Sequence, residues 1–382
     1  MTAQVFQTLT DEFVINNIGE FISDVDKISK AVAKTTTVPI LNGIHIEVRQ
    51  NQSILTATNG SLFYSIKTET ITAQTDFSIV IPPMVASIMK KLPEQKVLCS
   101  FEKQQLILKS GKSRFALSVH RGEDFPRMKP NAEKTFEISG KSLLQAFKGV
   151  AYAAGDNEVK PILQGILMAG QQEKLMFVST DSKRMGICAV RISSSIEDEV
   201  NNIVFPKQFA LDVIKNCEDT SDVVMGISDN HISVRIGNMV MGTRTMEGTY
   251  PDVSRIVPRA FKHECTINRE ELANAMERAN LLKEEGSKAA IAVLKISSKG
   301  IPSLYISINN KSGRLNESLF VSDVVGDEVE LGINALYVIE ALKSMEAKQV
   351  RLLLNSSLEP IVIKPIGTDE LEALILPIRF RK

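Results

Sequence analysis

The chain reads as an α+β protein built from one unit repeated three times, each copy with two helices packed on antiparallel sheets. Three observations carry that expectation. An ordered series of short segments recurs at a nearly constant shift along the sequence. Within each copy the hydrophobic period changes between the helical 3.6 and the strand value of 2 in the same order. Finally, 382 residues exceed what one ordinary hydrophobic core supports, which points to two or three domains.

The repeat is carried by particular residues. Val38-Pro39-Ile40-Leu41-Asn42-Gly43-Ile44 returns as Lys160-Pro161-Ile162-Leu163-Gln164-Gly165-Ile166, and Leu55-Thr56-Ala57-Thr58-Asn59-Gly60 returns as Phe177-Val178-Ser179-Thr180-Asp181-Ser182. Pro39 to Pro161 and Thr58 to Thr180 are both shifts of 122. Ile81-Pro82 and Phe205-Pro206 each open an apolar helical run, and the two copies close on Gly122-Glu123-Asp124-Phe125-Pro126 and Glu247-Gly248-Thr249-Tyr250-Pro251-Asp252. The third copy keeps the pattern more than the letters, with Leu304-Tyr305-Ile306-Ser307-Ile308-Asn309 as its strand and Leu331-Gly332-Ile333-Asn334 leading into a helix. Boundaries fall near Pro130 and Pro258, giving domains 1–130, 131–258 and 259–382.

Each copy opens with an amphipathic helix whose apolar residues recur every three or four positions. The stripes are Phe21, Ile22, Val25, Ile28 and Val32; Leu143, Leu144, Phe147, Val150 and Ala151; and Leu272, Ala275, Met276, Ala279 and Leu282. Asn268 followed by Glu271 predicts a capped start for the third of these. A second helix follows short strands, with stripes Met84, Val85, Ile88 and Met89; Phe209, Val213, Ile214 and Cys217; and Ala335, Val338, Ile339 and Leu342. Pro82 and Pro206 are expected in the first turn, where a missing N–H costs nothing. A β meander closes each copy, for example Leu106–Lys109, a turn at Ser110-Gly111-Lys112, then Arg114–Val119.

Composition excludes more than it identifies. The start of the chain lacks the basic and apolar run of a signal peptide, and no apolar stretch is long enough to span a membrane, so the expected location is the cytoplasm. Cys99, Cys188, Cys217 and Cys265 are scattered without a CxxC pair, which fits neither a disulfide framework nor a zinc site. Gly111-Lys112-Ser113 and Gly140-Lys141-Ser142 invite a phosphate-loop interpretation, but the glycine required five residues earlier is Leu106 or Thr135. The first triplet is a hairpin turn and the second a helix start. His45, His120, His231 and His263 form no HxxxH pair, and Glu270-Glu271 and Glu284-Glu285 sit on polar helix faces. No cofactor, no metal and no catalytic residues are expected, and the chain is not expected to be an enzyme.

Net charge is zero, with 45 basic and 45 acidic residues, yet the charge is unevenly placed. The six helical segments (19–34, 82–92, 140–154, 206–217, 268–283 and 334–345) together carry +5, leaving −5 for the remainder. Lys90, Lys91, Lys141, Lys148, Lys207 and Lys215 contribute most. On their own these describe a solvated helix surface; a helix-lined surface facing phosphates would bind duplex weakly and without sequence preference.

With the ordered repeats, Thr180-Asp181-Ser182-Lys183-Arg184-Met185, Tyr250-Pro251-Asp252 with Arg255 and Pro258, and the terminal Leu376-Pro377-Ile378-Arg379, the chain resembles the bacterial β sliding clamps, the beta subunits of DNA polymerase III, from end to end. The resemblance implies a head-to-tail homodimer closing into a ring around double-stranded DNA, a processivity factor in DNA replication associated with the nucleoid. It implies a hydrophobic peptide-binding pocket for the polymerase III alpha subunit, the clamp-loader delta subunit and other proteins carrying a clamp-binding motif. By position the pocket comprises Leu163, Thr180, Ser182, Lys183, Arg184, Met185, Pro251, Arg255 and Ile256, with Asn334, Tyr337, Leu358, Pro360, Leu376, Pro377, Ile378 and Arg379. The six lysines above become the DNA-facing residues, and Phe115 and Leu117 with Leu281 and Leu282 become the dimer interface. The family typically has Gly-His-Arg-Leu where this chain has Ser182-Lys183-Arg184-Met185, and Arg381 and Lys382 extend past the usual ending. The alternatives are an enzyme acting on nucleic acid through a repeat-built groove, or an α+β repeat scaffold with no role on DNA.

Overall fold

The computed structural model describes residues 11–50, 52–102, 104–126, 132–156, 160–228, 230–253 and 256–379. Arg255, the boundary at Pro130 and the Arg381-Lys382 extension lie outside the described residues. Among the described residues there are six α-helices: α1 Ile18–Ile28, α2 Met84–Met89, α3 Gly140–Ala151, α4 Lys207–Asn216, α5 Arg269–Asn280 and α6 Ala335–Lys343. Five fall within the segments the sequence predicts, and α1 begins at Ile18, one residue before its expected segment 19–34.

Helix starts follow side-chain chemistry. Asn17, Ser139, Asn268 and Asn334 each accept a hydrogen bond from the backbone N–H three residues on, satisfying a donor the helix leaves free. The proline-led helices differ from expectation. Pro206 is the N-cap of α4 and Pro83 that of α2, so Pro206 and Pro82 stand just before the first turn. Their carbonyl side still serves the helix, since Val85 N–H donates to Pro82 O at 3.1 Å. The late start of α2 also leaves Met84 at its exposed end, 55% accessible, instead of in the apolar stripe.

The chain divides into two compact units. One comprises the described residues up to Thr135 together with Ser221–Arg244. It contains a five-stranded sheet ordered Ile71–Ala73, Asp11–Ile15, Val97–Glu102, Gln105–Ser110, Ser113–Ser118. A second sheet runs through His120–Arg121, Phe77–Ile81, Ile44–Arg49, Gln52–Thr58, Leu62–Thr68, Met239–Arg244, His231–Ile236 and Asp222–Ser228. First-copy and second-copy strands therefore share a ladder, with Met239 opposite Ile66 and Thr243 opposite Leu62. Gly242 makes this join possible: a Cβ there would lie 2.0 Å from the Phe63 ring.

The other unit comprises Phe136–Thr220 and the described residues from Thr245 onward. Its seven-stranded sheet is ordered Gly165–Thr180, Arg184–Pro206, Leu371–Ile375, Ile361–Pro365, Gln349–Leu354, His263–Asn268, Ser322–Val325. Second-copy and third-copy strands again pair, Arg184 opposite Ile375 and Cys188 opposite Leu371. A four-stranded sheet runs Gly313–Phe320, Ser303–Asn310, Ile291–Ser297, Val329–Asn334. Helix α3 packs on the large sheet through Phe147, whose ring lies 5.5 Å from Phe177 and 5.5 Å from Phe205. Leu143, Leu144, Phe147, Val150 and Ala151 are all buried, as their spacing predicts. Burial of such side chains at about 1.5–3 kcal/mol each holds the helix to the sheet. The four cysteines form no disulfide and are buried, one in the first unit and three in the second, and desolvation raises the Cys188 thiol pKa to about 12.

Candidate functional site

The strand Gly165–Thr180 ends in a tight turn that reverses the chain into Arg184. Thr180 Oγ1 donates to Arg184 O at 2.6 Å and accepts from Ser182 N–H at 3.0 Å. Asp181 Oδ1 accepts from Lys183 N–H at 2.9 Å and Arg184 N–H at 3.0 Å. These bonds hold Ser182 at φ +74°, in the left-handed region that favours glycine. Thr180 N–H in turn donates to the buried Tyr250 hydroxyl at 3.1 Å, tying the turn to the segment before Pro251.

Arg184 fixes the other side of the turn. Its guanidinium pairs with Asp181 at 3.1 Å and with Glu340 of α6, and lies over the rings of Tyr337 at 4.4 Å and Tyr152 at 5.6 Å. Burial alone lowers the pKa of this group, but the Glu340 hydrogen bond and the pull of both carboxylates more than offset it, so the charge is fixed. Asn334 caps α6 by accepting from Tyr337 N–H at 3.2 Å, which places Tyr337 against Arg184.

In front of the turn is a cavity of about 250 Å³ with a largely apolar wall. It brings together Thr180, Ser182, Lys183, Arg184, Met185, Pro251, Ile256, Pro360 and Leu376 of the residues picked out in the sequence, and adds Lys160, Val253 and Leu374. Leu163 lies in the buried cluster beneath, with Val178, Tyr250 and Leu353. Leu376 N–H donates to Lys183 O at 2.9 Å and Ile378 N–H to Gly332 O at 2.8 Å, so the terminal segment is pinned at both ends around Pro377. Leu358, Ile378 and Arg379 instead line a separate, polar cavity of about 700 Å³ with Lys295 and Glu328. Another cavity, about 820 Å³ beside Gln145, Arg351 and Lys364–Glu370, is polar too. Its Arg351 and Lys364 are already paired with Glu264 at 2.9 Å and Glu372 at 2.6 Å, which leaves them little charge to offer a ligand. The smaller apolar cavity is therefore the better recognition site.

The remaining sequence-predicted residues are dispersed. Lys90 is the C-cap of α2 and pairs with Asp26 at 2.9 Å; Lys148 approaches Glu346 at 3.9 Å; Lys207 lies 3.4 Å from Asp156. Lys91, Lys141 and Lys215 are exposed and make no ion pair among the described residues. Phe115 and Leu117 lie on the outer strand Ser113–Ser118, Phe115 being 37% exposed. Leu281 follows α5 at 80% exposure, with Leu282 half-buried beside it.

Shared ladders between successive copies, with an apolar cavity at one join, define a repeat-built α+β scaffold. Family models agree along the chain: those for the N-terminal, central and C-terminal domains of the DNA polymerase III beta subunit match residues 12–129, 137–252 and 254–379. A beta sliding clamp of Staphylococcus epidermidis is 29% identical, with 96% of this chain and 99% of the relative covered; one of Staphylococcus aureus is 28% identical with the same coverage. The solved DNA polymerase sliding clamp of Bacillus subtilis superposes with a TM-score of 0.90 at 26% identity, covering 97% of this chain and all of that one. The beta subunit of Streptococcus pyogenes DNA polymerase gives 0.89 at 25% identity and the same coverage. The chain belongs to the DNA polymerase III beta subunit family, the sliding clamps, which are processivity factors without catalytic activity of their own.

Proposed function

We propose that the chain works as a homodimeric ring around duplex DNA and tethers partner proteins by short peptide segments seated in the cavity of Met185, Ile256 and Leu374. The observation that carries this is the cavity itself: an apolar wall behind a turn whose backbone N–H groups are all hydrogen-bonded, so the site is formed before a ligand arrives. Each buried aliphatic anchor contributes about 1.5–3 kcal/mol, so a segment needs several anchors together for a reversible tether. The partners expected are the polymerase III alpha subunit, the clamp-loader delta subunit and other proteins with such motifs, acting at the nucleoid in the cytoplasm. The domains run 1–130, 131–258 and 259–382.

Enclosure removes the need for tight DNA binding, which is consistent with zero net charge. The exposed Lys91, Lys141 and Lys215 supply diffuse, sequence-independent attraction to phosphates; Lys90, Lys148 and Lys207 do so less, because carboxylates lie near them. The unpaired outer strands Ser113–Ser118 and Gly313–Phe320 support a head-to-tail pairing of two chains, with Phe115 and Leu117 meeting Leu281 and Leu282 of the second copy.

Two experiments test these assignments. Ile256→Arg, at an exposed wall position, is expected to weaken binding of a polymerase-derived peptide at least tenfold in fluorescence anisotropy while leaving the sedimentation of the unliganded protein unchanged; unchanged peptide affinity would remove the pocket assignment. Leu281→Ala with Leu282→Ala is expected to sediment as a monomer near 42.1 kDa; an unchanged dimer would remove the interface assignment.

A further inference from the structure

Resting on the view that the helix lysines face duplex DNA, we propose a division of labour within the unit that holds two helix pairs. The second copy's helices α3 and α4 make the phosphate contacts, and the third copy's helices α5 and α6 make none. The two pairs hold equivalent places in the repeat but differ in charge. Helices α3 and α4 contain four lysines and one carboxylate, Asp212, which is buried and accepts from Gln208 at 3.1 Å. Lys141 and Lys215 are exposed and form no ion pair among the described residues, and the exposed Lys148 only approaches Glu346 at 3.9 Å. Helices α5 and α6 contain three cations and four carboxylates.

All three of those cations are committed inside the protein. Arg269 Nε donates to Ala347 O at 2.8 Å and its Nη1 to Leu342 O at 3.4 Å, so it closes the end of α6. Arg278 holds Glu317 of the outer strand Gly313–Phe320 through both arms of its guanidinium. Lys343 of α6 pairs with Glu277 of α5 at 2.7 Å, and Glu340 is taken by Arg184. Glu270 and Glu271 are left exposed on the first turn of α5, where they favour the helix dipole and repel phosphate. Just past the helix ends both copies add more carboxylates than lysines, so the difference stands. These are Glu218 and Asp219 in the second, and Glu284, Glu285 and Glu346 against Lys283 and Lys348 in the third. A cation already neutralised by a carboxylate adds no net charge to its face and releases no counterion when a phosphate approaches. The third copy has spent its cations on joining α5, α6, the outer strand and the Arg184 turn.

The test uses the full chain and a fluorescein-labelled duplex, with affinity read by anisotropy over a salt series. Lys141→Gln with Lys215→Gln is expected to weaken binding about tenfold at about 50 mM salt, and to lower the slope of log affinity against log salt by about two for each chain in contact. Lys343→Gln is expected to leave affinity within about twofold and the slope unchanged, since the pair it breaks is exposed and adds little stability. A slope lowered by Lys343→Gln as much per charge as by the second-copy lysines overturns the division while leaving the helices facing DNA. Duplex binding that ignores all three lysines, or no duplex binding at about 50 mM salt, overturns the DNA-facing assignment itself.

Discussion

The turns at Thr58–Leu62 and Thr180–Arg184 are one device built twice, 122 residues apart. In the first, Thr58 Oγ1 donates to Leu62 O at 2.7 Å and accepts from Gly60 N–H at 3.0 Å, while Asn59 Oδ1 accepts from Ser61 and Leu62 N–H at 2.9 and 2.8 Å. The second repeats each bond with Thr180, Asp181, Ser182, Lys183 and Arg184. Two positions differ in what they do. The middle residue is Gly60 at φ +89° in one turn and Ser182 at φ +74° in the other. The last is the half-buried Leu62 in one and, in the other, an arginine that reaches between two tyrosines to Glu340. The comparison teaches that the hydrogen-bond pattern sets the turn, and the fifth residue decides whether it stays a strand connection or becomes the wall of a site.

Arg184→Ala tests that lesson most severely. It leaves Glu340 and Asp181 without their cation, so a loss of about 3 kcal/mol is expected in the urea unfolding of the unit that contains it, with peptide binding lost as the wall relaxes. If the variant unfolds at the same urea concentration, the fifth position does not distinguish the two turns. A smaller effect concerns the middle position. Nothing lies within 4 Å of a Cβ built on Gly60, so conformation alone opposes a side chain there. Gly60→Ser is expected to cost about 1 kcal/mol, and Ser182→Gly to stabilise by somewhat less, because the added glycine also frees the unfolded chain. Changes of the same sign in thermal unfolding would show that the two turns are not strained alike.

Much of this was visible in the sequence because local chemistry set it. The shift from Pro39 to Pro161 marked two matching segments, which the structure folds alike as 3₁₀ turns, and Asn268 with Glu271 located the start of α5. The shared ladders were not visible: which strand edge Met239–Arg244 joins depends on close approach at Gly242 and Phe63, and repeat spacing does not encode that contact. At the site, Thr180 to Met185 were found as a contiguous motif. Lys160, Val253 and Leu374 were missed, although each is within three residues of a motif position; a search of the flanks of those motifs would have found them. Asn334 was placed in the pocket by position, yet its side-chain carbonyl is committed to capping α6. Leu358, Ile378 and Arg379 sit two or three residues from Pro360 and Leu376, but the chain carries them into the neighbouring cavity.

The chain has no tryptophan, so the usual optical reporter of its folded state is missing. Its four buried thiols can take that place. Cys99 and Cys265 sit in central strands and Cys188 in the strand leading from Arg184, all 0% exposed, while Cys217 at the end of α4 is 8% exposed. A thiol held above its ordinary pKa in such surroundings reacts with an alkylating reagent only when its element opens. Four labelling rates would therefore clock four separate openings, and the rate at Cys188 would time the strand that carries the pocket wall.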